Sequence, residues 1–250
     1  MAIELKAKDE IAIMREGGRI LSKIFNEIEK VLKSGMTTYD LAREAEEFMS
    51  KYNVKPAFKG YRGYPEVICV SINEEIVHGI PSTKKIIKDG DIVSVDIGIE
   101  YKGFFLDAAK TYAIGDVSPL ALKLIRVTEE ALWRGIDKAK VGARLSDISW
   151  AIQEYVEKNG FNVIRDFVGH GIGRKLHEPP NVLNYGPPGM GPVLQEGLVI
   201  AIEPMVVTGS YEVKILNNGW TAVTVDGGLS AHFEHTVAIT ENGPQVLTID

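Results

Sequence analysis

The chain has 250 residues, 45% hydrophobic and 25% charged, with a formal net charge of −6. That length and apolar fraction support a large core in one domain or two, while the acidic balance and the lack of a Lys/Arg cluster argue against a nucleic-acid footprint. Apolar runs are strand-length, too short to span a membrane; Met1-Ala2-Ile3-Glu4-Leu5-Lys6 holds no signal-peptide apolar region; and Cys69, the lone cysteine, excludes an intrachain disulfide, so a reducing cytoplasm is the expected compartment.

Ile20, Ile24, Ile28 and Val31 recur at helical spacing, as do Leu21, Phe25 and Leu32, which predicts a helix from about residue 8 to 33, stopped by Gly35. A second helix starts near Thr37–Thr38 and carries Leu41, Ala45, Phe48 and Tyr52. Strands are expected at 66–72, 91–99 and 104–114. Ser118-Pro119 opens the next helix, with Ser as N-cap and Pro at the first helical position. Ser146 is the expected cap of a fourth, which ends at Gly160. The last third reads as β, at 163–169, 198–206, 211–216, 220–225, 233–240 and 245–248, with a Gly/Pro-rich loop from Tyr185 to Pro192. No stretch reads as an interdomain linker. Helices precede strands in each half, which gives an α+β class with a largely antiparallel sheet and helices on one face.

Two segments 107 residues apart end in an acid at the same point: Gly90-Asp91-Ile92-Val93-Ser94-Val95-Asp96 and Gly197-Leu198-Val199-Ile200-Ala201-Ile202-Glu203. The same offset aligns Gly35 with Gly142, Asp40 with Asp147, Glu47 with Glu154 and Lys51 with Lys158. The period is far longer than the ~20–50 residues of a solenoid unit, so we read a duplicated half-domain within residues 1–250, the halves being roughly 1–115 and 116–250. A buried carboxylate is costly unless it is paired or binds a metal. In the first half, a tight turn centred on Tyr101-Lys102 would set Asp96 directly opposite Asp107, where like charges destabilise a sheet and a cation between them would remove the repulsion. In the second half, Glu234 would match Asp107 at an offset of 127, the extra 20 residues lying in the 209–228 excursion that includes Trp220.

All five histidines lie between residues 78 and 235. His170 sits between glycines in Val168-Gly169-His170-Gly171-Ile172-Gly173, which permits close backbone or ligand approach. His78 and His177, 99 residues apart, each follow an apolar residue and precede Pro. His232 and His235 flank Glu234 and read equally as partners of the ligands or as surface residues. Zincin, phosphate-loop, dinucleotide and serine-hydrolase motifs are absent, and a single Cys excludes thiolate–zinc clusters.

Asp96, Asp107, His170, Glu203 and Glu234, in that order, with the strings Asp96-Ile97-Gly98, Gly169-His170-Gly171-Ile172-Gly173, Ile202-Glu203-Pro204-Met205 and Ile76-Val77-His78-Gly79-Ile80-Pro81, resemble the bacterial type I methionine aminopeptidases of the pita-bread fold. The resemblance covers nearly the whole chain. It implies that Asp96 chelates one metal, that Asp107 and Glu234 bridge two, and that His170 and Glu203 complete the second. The oxygen-rich donor set suits two divalent ions among Co, Mn, Fe and Zn. Metal-activated hydroxide would attack the first peptide bond, with His177 donating to the oxyanion, His78 steering the scissile amide and Glu203 shuttling a proton. The resemblance further implies a methionine pocket lined by Tyr61, Tyr64, Cys69 and Trp220, departing from the commonest pattern at Phe58 and Leu176, and a monovalent cation near Asn73 and Ser230. Its substrates would be N-terminal Met peptides and nascent chains near the ribosome, with a small second residue, cleaved by a monomer with neither a nucleic-acid nor a membrane site. The competing readings are an X-Pro dipeptidase or creatinase-like hydrolase on the same fold, and a non-enzymatic binding protein.

Overall fold

The computed structural model describes residues 3–250; Met1 and Ala2, the start of the hexapeptide read above, lie outside the described residues. Four helices, α1 (Lys8–Val31), α2 (Thr38–Lys51), α3 (Pro119–Lys138) and α4 (Leu145–Lys158), accompany strands β1 (Lys55–Pro56), β2 (Cys69–Ile72), β3 (Glu75–Val77), β4 (Ile92–Tyr101), β5 (Phe104–Ala113), β6 (Asn162–Val163), β7 (Gly169–Gly171), β8 (Glu178–Val182), β9 (Val199–Ile202), β10 (Met205–Val207), β11 (Val213–Ile215), β12 (Ala222–Thr224), β13 (Ser230–His232), β14 (Glu234–Thr240) and β15 (Gly243–Val246). An antiparallel nine-stranded sheet runs β1-β4-β5-β14-β9-β7-β8, with β2 on β4 and β15 on β14; β13-β10-β6 and β11-β12-β3 form two smaller sheets.

Local chemistry sets the helix starts. The Thr37 hydroxyl accepts from Asp40 N at 3.1 Å, and the Asp40 carboxylate accepts from Thr37 N at 2.8 Å, a reciprocal capping box. Ser118 Oγ accepts from Ala121 N at 3.2 Å ahead of α3, as expected. The start of α4 differs from the sequence reading. Its N-cap is Arg144, whose N donates to Asp147 Oδ2 at 2.9 Å, and Ser146 instead accepts from Met190 N across the Gly/Pro loop. Asp147 is the counterpart of Asp40, so the shared acid places the start of α4, not the serine. The bounds of α2 and α4 are displaced by 107 residues, as are the ends of α1 and α3, β1 and β6, and the starts of β4 and β9.

The two faces of β4 and β5 divide core from site. Val93, Val95, Ile97 and Ile99 of β4, with Leu106 and Ala108 of β5, join Leu21, Ile24 and Ile28 of α1 in one core. Ile200, Ile202, Val237 and Ile239 join α3 and α4 in a second. Each fully buried side chain of this kind contributes about 1.5–3 kcal/mol. The alternate residues Ser94, Asp96, Asp107, Ala109 and Thr111 point away from the helices.

The β4–β5 hairpin corrects the expected register. Its turn is Lys102-Gly103, with φ of 49° and 83°, and it pairs Tyr101 with Phe104. Positive φ at both central positions is the two-residue geometry that matches sheet twist, and the second falls on glycine. Asp96 therefore faces Ala109, and Asp107 faces Gly98. A slip of two preserves the face of every side chain, so the two acids become diagonal neighbours. Two expected strands are also divided. The 163–169 stretch splits into β6 and β7, and 198–206 splits at Glu203-Pro204, where proline has no N–H for the ladder. β1, β3, β8 and β13 were not anticipated; the prolines of β8 disguise it.

Candidate metal centre

Strand registers bring the five candidate ligands into two adjacent rows on one sheet face. In the first row, Asp96 of β4 and Glu234 of β14 both pair with Ala109 of β5. The register of β9 with β14 and that of β10 with β13 are continuous, Ile202 with His235 and Met205 with His232, so Glu203 and Glu234 face each other in the break between them. In the second row, His170 pairs with Ala201, Ala201 with Thr236, and Asp107 with Gly98. Asp107 N donates to Thr236 Oγ1 at 3.0 Å, and Thr236 Oγ1 donates back to Asp107 O at 2.8 Å, which closes that row. The residues between the candidate ligands are Ala109 in the first row and Thr236 and Ala201 in the second. Their small side chains leave room above the sheet.

Ligand atoms of Asp107, His170 and Glu234 lie within 4.8 Å of one another, as do those of Glu203, His232 and Glu234. His170 Nε2 is 3.6 Å from Glu203 Oε1. His170 Nδ1 lies 2.9 Å from Gly171 O; donation there leaves the lone pair on Nε2, the form a metal ligand requires. Asp96 Oδ1, Asp107 Oδ1 and Glu234 Oε1 are buried with no hydrogen-bond partner. Orphaned carboxylate oxygens in such number are expensive. They fit a divalent cation centre, which would satisfy them, and the hard oxygen and imidazole donors match it.

Burial shapes the protonation of the site. Loss of water pushes the Asp96 carboxyl up to about 7, with Glu203 adding repulsion and His232 opposing it. Glu203 is likewise pushed up to about 7 by burial. Asp107 and Glu234 are raised well above the usual carboxylate range, by burial first and then by the neighbouring carboxylates. The histidines go the other way. His78 is lowered to about 4 by burial. His177 is lowered to about 3 by burial, then by His170 and Arg62. Both are neutral at pH 7.

A cavity of about 130 Å³ opens beside these rows. Its lining includes Asp96, Asp107, His170, Glu203 and Glu234, the histidines His78 and His177, and the six pocket residues named from sequence: Phe58, Tyr61, Tyr64, Cys69, Leu176 and Trp220. Cys69 pairs with Asp96 across β2 and β4, so its thiol sits at the floor, where burial raises its pKa well above the usual value. The His177 ring stacks on Tyr61 with centroids 5.2 Å apart, its Nδ1 lies 2.9 Å from Tyr61 Oη, and its centroid is 4.2 Å from that of His170. His78 has φ +59°, an uncommon backbone for a non-glycine residue, and packs edge-on against Phe167 and Trp220. Strain of about 1–3 kcal/mol at a site residue persists only where its surroundings fix it.

Ser230 N donates to Asn73 O at 2.8 Å, and Ser230 Oγ is buried without a partner. The two ambiguous histidines separate. His232 is buried on the site side with Nε2 3.5 Å from Glu203 Oε2, whereas His235 lies on the opposite face, bonded to Thr248 Oγ1 at 2.8 Å and set against Trp133. The parity of His232 with Glu234, two residues apart, was the available signal for the former. Arg62, the residue lining this cavity that sequence reasoning missed, lies between two singled-out tyrosines in Gly60-Tyr61-Arg62-Gly63-Tyr64.

The described residues contain no helix long and apolar enough to cross a membrane. A family model described as metallopeptidase family M24 matches residues 12–241. A methionine aminopeptidase of Clostridium acetobutylicum is 55% identical over 247 residues, 99% of this chain and 99% of that protein. The crystal structure of a methionine aminopeptidase from Thermotoga maritima matches with a TM-score of 0.98 at 51% identity, covering 100% of both chains. A prolidase from Pyrococcus furiosus matches with a TM-score of 0.80 at 25% identity, over 98% of this chain and 65% of its own.

Proposed function

This chain belongs to metallopeptidase family M24, and on that premise we propose that it removes the N-terminal methionine from nascent proteins and peptides, preferably where the second residue is small. It has the pita-bread fold of its structural neighbours and is a metal-dependent hydrolase. We read residues 1–250 as one catalytic domain made of two related halves, acting as a cytoplasmic monomer on chains near the ribosome. The relatives that match over their whole length are methionine aminopeptidases, while the prolidase carries further length that this chain does not match.

Asp96, Asp107, His170, Glu203 and Glu234 would hold two divalent ions. When bound, such ions supply Lewis-acid polarisation of a carbonyl and activate water at neutral pH. The side chains around them complete the chemistry. With Tyr61 O–H donating to Nδ1, neutral His177 keeps its proton on Nε2 and offers it to the developing oxyanion. His78, fixed by its backbone and its aromatic contacts, steers the scissile amide. Glu203, poised near neutrality, carries a proton towards the leaving amine. Phe58, Tyr64, Cys69, Leu176 and Trp220 close the cavity around an unbranched apolar side chain and exclude water.

The observation that carries this reading is the convergence of five ligand-type side chains in two adjacent rows beside a mainly apolar cavity. Cleavage of Met-Ala-Ser against an X-Pro dipeptide, with elemental analysis of the same preparation, tests it. Release of methionine with bound transition metal is expected. Exclusive turnover of the X-Pro dipeptide, or a metal-free active preparation, would overturn it.

A further inference from the structure

A second opening of about 670 Å³ leads outward from the candidate centre. It shares His78, Asp96, His170, His177 and Glu203 with the first cavity, and Arg62 lines both. The outer groove is also lined by Asp166 and Asn181. A peptide whose first side chain fills the inner cavity has this groove as its exit.

Arg62 enters none of the ion pairs among the described residues. Glu178, which shares the outer groove, is committed to buried Lys6, and Glu66 of the same loop to Arg43, while Asp166, also in the groove lining, enters no ion pair among the described residues. Its guanidinium lies over the Tyr61 ring, 5.4 Å from the centroid. Its backbone has φ +49°, between Gly60 at +86° and Gly63 at +89°. A non-glycine residue in the left-handed region costs stability, and here it holds a free cation at the junction of two cavities. A planar guanidinium supported on an aromatic face is suited to a carboxylate.

We propose that Arg62 is a specificity residue that binds a carboxylate of the substrate beyond its second residue, either an acidic side chain or the terminal carboxylate of a short peptide. This rests on the aminopeptidase reading above and adds the charge preference of its exit groove. Asp166, which lines the same groove, makes the preference depend on position.

The test uses the metal-loaded enzyme and three peptide amides, Met-Ala-Glu-Gly-Gly, Met-Ala-Gly-Glu-Gly and Met-Ala-Gly-Gly-Glu, each with its Gln counterpart, plus Met-Ala-Gly as free acid and as amide. At one position or more, the Glu peptide should exceed its Gln partner about threefold in kcat/KM, through KM, as befits an exposed charge pair. About 0.5 M NaCl should erase the difference. The ratio should fall to about one in Arg62→Gln and invert in Arg62→Glu. Lys59→Gln makes the same change in net charge away from both cavities, at a residue paired with Glu46, and should keep the wild-type ratio. A difference confined to the Met-Ala-Gly pair would assign the subsite to a terminal carboxylate. Ratios near one for every pair, or a preference that survives in Arg62→Gln, would overturn the proposal while leaving the aminopeptidase reading intact. Failure to cleave even the Gln peptides would sink both.

Discussion

Metal affinity should fall steeply on mild acidification, because the side chains that would hold the cations resist ionisation without them. Asp96 and Glu203 are both pushed up to about 7, chiefly by burial. For a carboxylate the sign is fixed. A folded-state pKa above the unfolded one contributes stability below about pH 4, and that contribution is lost as pH rises through about 7. The metal-free protein is thus penalised at neutral pH, and a cation that keeps the groups ionised removes the penalty. In the other direction, protons compete with metal. One carboxylate titrating near 7 weakens apparent affinity ~30-fold between pH 8 and pH 5.5, about 2 kcal/mol. Metal held at ~100 times its dissociation constant at pH 8 stabilises by about 2.7 kcal/mol, which drops to about 0.9 kcal/mol at pH 5.5. For a chain of this size, the metal-induced rise in Tm should shrink from about 5–11 °C to about 2–4 °C. Protonation of the second carboxylate deepens the effect. The assay is thermal denaturation of chelated and Mn²⁺-loaded protein at both pH values, with titration calorimetry for the affinities. Taking the difference between loaded and chelated protein cancels the histidines titrating in both, His78 and His235 among them. An affinity unchanged between pH 8 and pH 5.5 would refute the argument.

Glu234→Gln neutralises one of the mutually repelling buried carboxylates, so the chelated variant should melt about 2–6 °C above chelated wild type and lose its response to metal; a lower Tm with the metal response kept would contradict the placement of Glu234 in the first row. His177→Ala should lower kcat about 10²–10³-fold with metal content intact by elemental analysis, and an unchanged kcat would remove His177 from the chemistry. Lys6 is fully buried at its side chain and paired with Glu178, beside His177. Lys6→Met should cost about 3–5 kcal/mol by stranding that carboxylate, and Lys6→Met with Glu178→Gln should recover much of the loss in urea denaturation; simple additivity of the two would show the pair is not coupled.

The candidate ligands stood out in the sequence because each is an acid or imidazole in a place where apolar or glycine neighbours predict burial. Asp96 and Glu203 end two copies of one apolar run, and His170 stands between glycines against which backbone packs closely: a Cβ on Gly169 would lie 2.3 Å from Ala201 O. The starts of α2 and α3 followed from Thr37 and Ser118, whereas Ser146 was read as the cap of α4, whose start is set by Arg144 and Asp147, the counterpart of Asp40. The arrangement of these candidate ligands was less legible, for a geometric reason. Alternation along a strand states which face a side chain takes, and a two-residue slip leaves that face unchanged. The row a residue occupies depends on the turn, and Tyr101-Lys102 and Lys102-Gly103 place Asp107 in different rows while burying the same side chains. The second half meets the same problem at Glu203-Pro204, where one strand breaks yet its register continues into β10. Arg62 escaped notice because a loop held by positive-φ backbone has no periodicity to read. Face is therefore a property of local sequence, whereas the distance between Asp96 and Asp107 belongs to the hairpin. An insertion that lengthened the Lys102-Gly103 turn would rearrange the candidate centre without touching a single candidate ligand.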